Sequence, residues 1–553
     1  MIRRPTSGAA LAPLDERAES GTGGRVRRHA LVVLIAVAAC YANALAGPFL
    51  FDDTQPQGAF SWRARPLTWL TFALDRRLWG ADTLGYHALN VAVHAASALL
   101  LLAFVRRALA FADGLAPRTR DGLALVTALC WAVHPLQTES VSYISQRAES
   151  LASFFYLAFL YAFVRSARAA RPWRWQAAAL LALALGFATK EVVATAPILA
   201  WVLERTLLGR AGSSARTRRA FHLALGASWL ALLGVYALRP LLAERSTSGF
   251  GVPDVTPLEY LCSQPGVIVH YLRLALWPHP LCLDYAWPVA RGWREIVPPG
   301  ALVLALLALT LQGLRARAWY GLAGAWFFVI LAPTSSVVPI RDLAVEHRVY
   351  LALAAPVFAG VLGAWRLCAR LGARASGALA TVVVLALAGA TVRRNRDYGS
   401  AIAMWRSVLA CNPTNARAYE NLSGPLIEAG RTDEAIEALN TALRLAPSAL
   451  AYNNLAAIQM DAGKLDDAIA TLTRAIVEDP SYDVSYANLG NCYLRRGEPA
   501  RALAHFERAL ARLDSPYARR GLGLALLELD PSDGVARAAL ARAQAPPARS
   551  GGE

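Results

Sequence analysis

Long apolar runs separated by short charged stretches make up most of the first 400 residues of this 553-residue chain. The first run extends from His29 to Ala46, and the sequence GPFLFDD follows it directly. Ten more runs follow, near 85–105, 121–133, 150–164, 173–188, 191–207, 220–238, 298–314, 318–333, 348–366 and 375–392. Several are shorter than the ~20 residues that cross a bilayer upright. The pattern predicts an all-α, polytopic bundle of about 11 membrane-spanning helices.

Arginines recur beside alternate runs, beginning with Arg25, Arg27 and Arg28 before the first one. Because cytoplasmic loops are enriched in basic residues, we expect a cytoplasmic N-terminus and an external GPFLFDD segment. The segment 259–277 is apolar but contains proline, histidine and arginine, so it is interpreted as a re-entrant or interfacial helix. That interpretation places the C-terminal region outside the membrane; a crossing by 259–277 would reverse the side.

From about residue 412 the pattern changes to a repeat of 33 and 34 residues. Tyr419, Tyr452 and Tyr486 keep these steps, and so do three glycines, Gly430, Gly463 and Gly497. This period is typical of tetratricopeptide repeats, which are helix–turn–helix units stacked into a solenoid. The predicted domains are a disordered tail at 1–28, a transmembrane domain at 29–395, a repeat domain at 396–545 and a disordered tail at 546–553.

Composition supports a membrane protein, since 56% of the residues are hydrophobic and 17% are charged. The net charge of +17 is confined to the first 400 residues, because the remainder carries 16 basic and 18 acidic groups. No continuous basic stripe with interleaved aromatic residues is present, which argues against a nucleic-acid partner. The seven cysteines have no metal-type spacing.

Asp52 and Asp53 end the GPFLFDD segment and are the first candidates for chemistry. A transferase at an external membrane face needs a carboxylate to take a proton from an acceptor hydroxyl. The same pair is suited to hold a divalent cation, Mg²⁺ or Mn²⁺, and no other cofactor is predicted. The alternative is a helix cap or a simple loop charge.

Other polar groups recur in or beside the predicted external loops. Lys190, one of only two lysines, is predicted with Arg348, Arg147 and Arg65 to bind a lipid-linked phosphate. The residues expected to line the acceptor side are His134, Glu139, His87, Glu191, Asp284 and Glu346. Each has a structural alternative. The polar groups of the loop 134–150 would only be solvated at the surface, Arg65 would anchor to anionic headgroups, His87 would pack between helices, and residues 190–191 would form a Lys–Glu turn. These groups come from separate loops, yet the topology places all the loops on one side.

Three asparagines, Asn421, Asn454 and Asn488, occupy equivalent positions in the first helix of successive repeats. In a stacked solenoid they form a ladder on the concave face, where amide groups are able to grip a peptide backbone. The alternative is that they only tie neighbouring helices together.

Seven segments, followed by the repeats, resemble the transmembrane-and-tetratricopeptide O-mannosyltransferases and their bacterial relatives. They are FDD, RPLTWLTF, GYHALNVAVHAASALLL, HPLQTESVSYISQRAESLA, ATKE, YLRLALWPHPLCLDY and EHRVYLA. The resemblance implies a C-type glycosyltransferase fold (GT-C), a polyprenyl-phosphate sugar donor and inverting transfer. It also implies that an acidic residue of the first external loop, Asp52 or Asp53 here, acts as base. Family members from higher organisms carry many more repeats than the three or four found here.

The hypothesis is a multi-pass protein of the bacterial inner membrane with its active site and repeats outside the cytoplasm. It transfers a hexose, mannose, from polyprenyl phosphate to Ser or Thr of exported polypeptides presented by the repeats. The alternatives are a non-catalytic assembly factor, whose repeats recruit partners to the membrane, and a translocase for a lipid carrier.

Overall fold

The computed structural model describes residues 23–54, 65–112, 114–208, 215–238, 255–368, 372–511, 515–534, 536–538 and 540. These residues form α-helices and short turns of 3-10 helix, and no strand occurs among them. The chain divides into two compact units, Met1–Met404 and Trp405–Glu553, close to the boundary predicted at 395/396. Most of the tails predicted to be disordered lie outside the described residues, although the first helix already begins at Gly23.

The first unit contains the apolar helices. In chain order they are α1 (Gly23–Tyr41), α2 (Pro66–Trp79), α3 (Thr83–Leu109), α4 (Pro117–Ala132), α5 (Thr138–Ser142), α6 (Arg147–Ser166), α7 (Pro172–Phe187), α8 (Ala196–Leu203), α9 (Ala215–Leu238), α10 (Pro257–Leu276), α11 (Trp293–Arg315), α12 (Trp319–Leu331), α13 (Ala354–Cys368) and α14 (Gly372–Asn395). The next helix, α15 (Ala401–Cys411), contains the boundary between the two units.

Five segments of the described chain are long and apolar enough to cross a membrane. They are Gly23–Ala44, Thr83–Leu109, Ile144–Ser166, Trp293–Arg315 and Gly372–Gly399. Two shorter apolar helices of the first unit are Trp319–Leu331 and Ala354–Cys368. The chain is therefore a membrane protein with several candidate spans, and the number of about 11 spans stays a prediction.

Arg147, at the start of α6, fastens three helices of the first unit together. Its guanidinium lies 2.5 Å from the Asp75 carboxylate of α2, and it donates hydrogen bonds to the Asn90 side chain and to the Tyr86 carbonyl of α3. It also stacks 4.3 Å from the centre of the Phe72 ring. The side chain is fully buried, so its positive charge is stabilised by the Asp75 carboxylate instead of by water.

Helix α10 corresponds to the segment 259–277, and both of its ends contact loops from the same end of the bundle. Near its start, the Tyr260 hydroxyl donates to the Thr334 carbonyl; near its end, Tyr271 donates to the Val345 carbonyl. The Ala275 carbonyl contacts the ring of His134. This placement favours an interfacial helix over a span, and the side of the membrane on which the repeats lie stays a prediction.

The second unit consists of helix pairs with the predicted period. They are α16 (Ala416–Glu428) with α17 (Thr432–Leu445), α18 (Ala449–Asp461) with α19 (Leu465–Glu478), and α20 (Asp483–Arg495) with α21 (Pro499–Leu510), followed by α22 (Pro516–Leu529). Gly430, Gly463 and Gly497 sit in the turn of each pair with φ between 72° and 79°, a conformation that favours glycine. The alanine five residues after each glycine is buried, so the repeat phase read from the sequence is correct.

We predict that Asp75→Asn destabilises the first unit because it leaves the buried Arg147 charge without its counter-charge. The expected loss in the free energy of unfolding is about 3–5 kcal/mol. Thermal unfolding of the purified protein in detergent measures it, with Arg77→Gln, an exposed change on the same helix, as the control. Equal midpoints for wild type and Asp75→Asn would show that the ion pair does not hold these helices.

Candidate active site

Loops distant in sequence meet at one end of the first unit, which we call the loop face. Its segments are 50–54, 134–149, 188–191, 282–285 and 342–348. They are joined by direct contacts: Asp53 to Ser145, Glu149 to Lys190, Glu139 to His347, and Glu346 to Cys282. The sequence-predicted candidates of the first unit therefore lie in one connected region rather than at opposite ends of the bundle.

Asp53 and Asp52 occupy different environments in the turn Phe51–Thr54. The Asp53 carboxylate is buried and accepts the backbone N–H groups of Leu50, at 3.1 Å, and of Ser145, at 2.6 Å. Burial raises the pKa of Asp53 to about 7, and these hydrogen bonds oppose the rise. Asp52 is exposed, and its backbone N–H donates to the Tyr143 hydroxyl at 3.0 Å. Asp53 thus anchors the turn, while Asp52 is exposed.

Glu139, in the short helix α5, holds His347 by two hydrogen bonds. One carboxylate oxygen accepts the His347 backbone N–H at 2.9 Å, and the other lies 2.7 Å from the ring Nδ1. Burial raises the pKa of Glu139 and lowers the pKa of His347, because it penalises the charged form of each. The imidazole keeps 15% of its surface exposed. The pair is therefore suited to accept or return a proton at the ring edge that faces solvent.

Glu346 connects the loop 282–285 to this pair. One of its oxygens accepts the Cys282 backbone N–H at 2.5 Å and the Tyr285 hydroxyl at 2.7 Å. Burial and the nearby Glu139 raise the pKa of Glu346, whereas Arg394 lowers it. Asp284 accepts the Ala286 backbone N–H and thereby shapes the same loop. Both carboxylates are buried and bonded within these loops, so we assign them to stabilising the loop conformation.

Lys190 and Glu149 form an ion pair at the edge of the loop face. The Lys190 side chain is 13% exposed and that of Glu149 is 4% exposed. The charge of Lys190 also lowers the pKa of His347 and of Glu139. Beside it, Arg65 pairs with Glu191 at 3.3 Å, and both of these side chains are more than a quarter exposed. Lys190 and Arg65 are thus cations within reach of solvent.

The other two predicted phosphate ligands are more deeply placed. Arg348 donates to the carbonyls of Asp342, at 2.6 Å, and Leu343, at 2.9 Å. These acceptors are neutral carbonyl groups, so the guanidinium is a cation able to stabilise an anion placed beside it. Arg147 is different, because it is fully buried and already paired with Asp75. We therefore assign Arg147 to packing and leave it out of the phosphate site.

His134 and His87 serve local structure. The Nδ1 of His134 accepts the Leu136 backbone N–H, and its Nε2 lies 3.3 Å from the Ala275 carbonyl. Burial lowers the pKa of His134 to about 4, so the ring is neutral. The Nε2 of His87 lies 3.0 Å from the Gly47 carbonyl. These contacts tie neighbouring segments together and give neither ring an acceptor-binding surface.

Asp52 and Asp53 offer few free oxygen ligands for the predicted divalent cation. Both Asp53 oxygens already accept backbone N–H groups, so Asp53 has little capacity to join Asp52 as a ligand. Within the described part of the chain there is no group of three or more His, Cys, Asp or Glu side chains placed to hold a metal. We derive no catalytic step through Mg²⁺ or Mn²⁺.

The repeat asparagines bond within the solenoid. The amide nitrogen of Asn421 donates to the Arg417 carbonyl of its own helix. Those of Asn454 and Asn488 donate to Ser423 and Asn453 of the preceding repeat, at 3.3 and 3.0 Å. These hydrogen bonds agree with the alternative in which the asparagines tie neighbouring helices together. Peptide binding by the asparagine ladder stays a prediction.

Three important residues of the loop face were not among the sequence-predicted candidates: His347, Glu149 and Arg394. His347 lies between two predicted candidates in Glu346-His347-Arg348, and this adjacency was the available signal. Arg394 is buried near Glu139 and Glu346, and it pairs with Asp397 at 2.9 Å. From sequence, the RRNR segment of Arg394 indicates only a basic helix end.

Comparison with known proteins agrees with this organisation. The tetratricopeptide repeat family matches residues 388–448, 426–483 and 459–524. A protein O-mannosyl-transferase of Caenorhabditis elegans is 24% identical over 404 residues, which cover 69% of this chain and 54% of the relative. The protein O-mannosyl-transferase TMTC4 of Mus musculus is 25% identical over 486 residues, covering 74% and 65% respectively.

A higher identity of 31% to the protein O-mannosyl-transferase TMTC3 of Mus musculus is limited to 163 residues, 24% of this chain and 16% of the relative. The chain spans about half the length of the C. elegans relative and less than two thirds of the two mouse relatives. The described chain is thus a helical membrane protein with a tetratricopeptide domain. It is a homologue of the transmembrane-and-tetratricopeptide protein O-mannosyl-transferases, which confirms the resemblance seen in the motifs.

We predict that the contribution of Asp53 to stability falls as pH rises from about 4 to about 7, because the folded pKa of Asp53 is about 7 and its ordinary value is 3.8. Between these values the folded state binds more protons than the unfolded state, so raising the pH costs stability until Asp53 has ionised. Thermal unfolding of wild type and Asp53→Asn in detergent across this range measures the effect. The stability of wild type relative to the variant should fall as pH rises through this range; identical pH dependence of the two proteins would contradict the assignment.

Proposed function

We propose that this chain is a C-type membrane glycosyltransferase that transfers a hexose, mannose, from polyprenyl phosphate to Ser or Thr hydroxyls of exported polypeptides. One observation carries the proposal: charged side chains from separate loops converge on one face of a membrane bundle. The names of the relatives support the glycosyltransferase class and the sugar. A lipid-linked donor suits a site at the membrane boundary, because its phosphate and sugar reach water while its chain stays in the bilayer.

Asp52 is the proposed base. The residue is exposed, and its backbone N–H is held by the Tyr143 hydroxyl, so we assign it to meet an acceptor hydroxyl at a defined position. Asp53 is a positioning residue, since its buried carboxylate holds the turn through Leu50 and Ser145. The sequence does not distinguish Asp52 from Asp53 as the base. Asp53 is buried and Asp52 is exposed, and this difference favours Asp52.

Lys190 is the proposed group that stabilises the departing phosphate, with Arg348 adding positive charge and His347 a hydrogen bond. The charge of Lys190 acts on His347, and Arg348 follows His347 in the chain. A cation aimed at the leaving phosphate lowers the barrier because negative charge builds up there as the bond breaks. Glu149 keeps the ammonium in place before the donor arrives.

The proposed reaction is one displacement. The acceptor oxygen forms a bond to the anomeric carbon, the bond from that carbon to the phosphate oxygen breaks, and the hydroxyl proton passes to Asp52. The bonding electrons leave with the polyprenyl phosphate. Because attack and departure occur on opposite sides of the carbon, the configuration inverts. The proposed role of the repeats is to present the acceptor polypeptide outside the cytoplasm.

We predict that Asp52→Asn lowers transfer about 100-fold or more, because loss of a general base typically costs that much. Purified protein, polyprenyl-phosphate mannose and a Ser/Thr-rich peptide provide the assay. The matched control is Asp82→Asn, which removes an exposed carboxylate at the N-terminus of α3 but keeps a side chain able to cap that helix. Full transfer by Asp52→Asn would eliminate it as the base.

The double variant Lys190→Met with Glu149→Gln separates phosphate stabilisation from structure. Each single change leaves a poorly exposed charge without its partner, whereas the double change removes both charges together. We expect the double variant to keep the wild-type thermal midpoint within a few degrees and to lose about 100-fold in transfer. Transfer equal to wild type would make Lys190 purely structural. A wild-type protein that captures partners without any transfer would instead favour the assembly-factor hypothesis.

A further inference from the structure

Helix α2 carries a row of leucines on its outer side. In the chain it lies between the candidate spans Gly23–Ala44 and Thr83–Leu109. With 14 residues it is about 21 Å long, which is too short to cross a bilayer. Leu70, Leu74 and Leu78 follow one another at steps of four residues, and each is more than half exposed among the described residues. Single exposed leucines are common, but a continuous row of them marks a contact surface.

The side chains of α2 divide into three sides at the helical spacing of 3.6 residues per turn. The first side packs inside the unit, where Thr68, Phe72 and Asp75 are buried. The leucine side lies about a third of a turn away from it. The remaining third carries Arg76, with Arg77 at its border with the leucines, and both arginines are exposed. A helix with one side on protein, one apolar side and one cationic side fits the place where protein, acyl chains and water meet.

Exposed tryptophans mark the level of this boundary on the first unit. Trp79 ends α2, and Trp277 directly follows the interfacial helix α10. Trp293 begins the candidate span Trp293–Arg315, at the end that follows the loop 282–285 of the loop face. Tryptophan is enriched where the acyl region of a membrane meets the headgroups. The three residues therefore indicate that the membrane boundary passes beside the loop face, at the level of α2.

We propose that α2 lies in the boundary between the headgroups and the acyl chains, with Leu70, Leu74 and Leu78 among the acyl chains. The partner of the leucine side is thus the lipid surface rather than a second copy of the chain or an acceptor polypeptide. Burial among acyl chains removes the leucines from water, which is favourable, while the arginine side stays in water. This placement does not depend on the transferase proposal.

A fixed depth for α2 sets the depth of the loop face. The Leu67 backbone N–H donates to the Ala188 carbonyl at 3.0 Å, and the Thr68 hydroxyl donates to the Thr189 carbonyl at 3.4 Å. Helix α2 is therefore bonded directly to the segment that carries Lys190. When the leucine side is held among acyl chains, this segment is held at the level of the lipid phosphates.

Two labelling probes on the full wild-type chain in phosphatidylcholine nanodiscs test the proposal. Carbenes released from a diazirine on the acyl chains label side chains that contact lipid, whereas hydroxyl radicals label side chains that contact water. Peptide mass spectrometry should find on the order of tenfold more carbene label on Leu70, Leu74 and Leu78 than on Leu450. Leu450 is an exposed leucine of the repeat domain and serves as the matched control, which should carry the radical label instead.

Radical label on the three leucines would overturn the proposal, because their side of the helix would then face water. Absence of both labels would overturn it as well, because another polypeptide would then cover them.

Two glutamine variants test the same placement by its energetics. Leu74→Gln removes an apolar group from the leucine side, and Arg77→Gln is the matched control on the same helix. Leucine, arginine and glutamine have similar helix propensities, so the helix itself is little affected. In nanodiscs we expect Leu74→Gln to lower the thermal midpoint by about 2 °C or more and Arg77→Gln to leave it unchanged. Equal midpoints for wild type and Leu74→Gln would contradict burial among acyl chains, since a surface change in water costs little.

Discussion

Ionisable groups removed from water must meet a hydrogen-bonding or charged partner, and at the loop face the partner usually comes from another loop. Glu139 and His347 are 208 residues apart and share two hydrogen bonds. Glu149 meets Lys190, and Asp53 receives an amide from Ser145. An isolated buried charge would cost several kcal/mol, so these contacts hold the loops in one arrangement. Each contact fixes the position of one loop relative to another. Together these contacts bring the side chains of the candidate site to one place.

The same constraint separates charges that hold the fold from charges that are able to act. Arg147 is fully buried and has its counter-charge in Asp75. Lys190 and Asp52 differ, since both keep contact with solvent at the edge of the face. A group that must meet a substrate needs such access. Exposure and existing partners therefore assign roles that residue type leaves open, and they favour Asp52 over Asp53 as the base.

Much of the architecture was predictable from the sequence. Tyr, Gly and Ala positions at steps of 33 and 34 identify the repeats, because each unit must place the same small residues against its neighbour. The apolar runs identify a membrane unit, but short helices such as α8 and α12 leave the number of spans open. Periodicity reports which face of a helix is apolar; it does not report depth in a bilayer.

The site was predictable as a set of loops and not as a set of contacts. Positions in or beside predicted external loops marked Glu139, Lys190 and Glu346, but the pairing of Glu139 with His347 joins segments that are 208 residues apart. Arg147 and His134 are residue types that often act in catalysis, but here an ion pair and a hydrogen bond use them to hold the fold. The repeat asparagines follow the same logic, since their amides bond within the solenoid.

The central claim is that the loop face transfers a hexose to exported polypeptides. Mass spectrometry of exported proteins, from cells with the chain and from cells lacking it, tests this claim most directly. The account predicts a hexose on Ser or Thr that disappears with the chain and returns when the chain is restored. Identical glycosylation in both kinds of cell would contradict it.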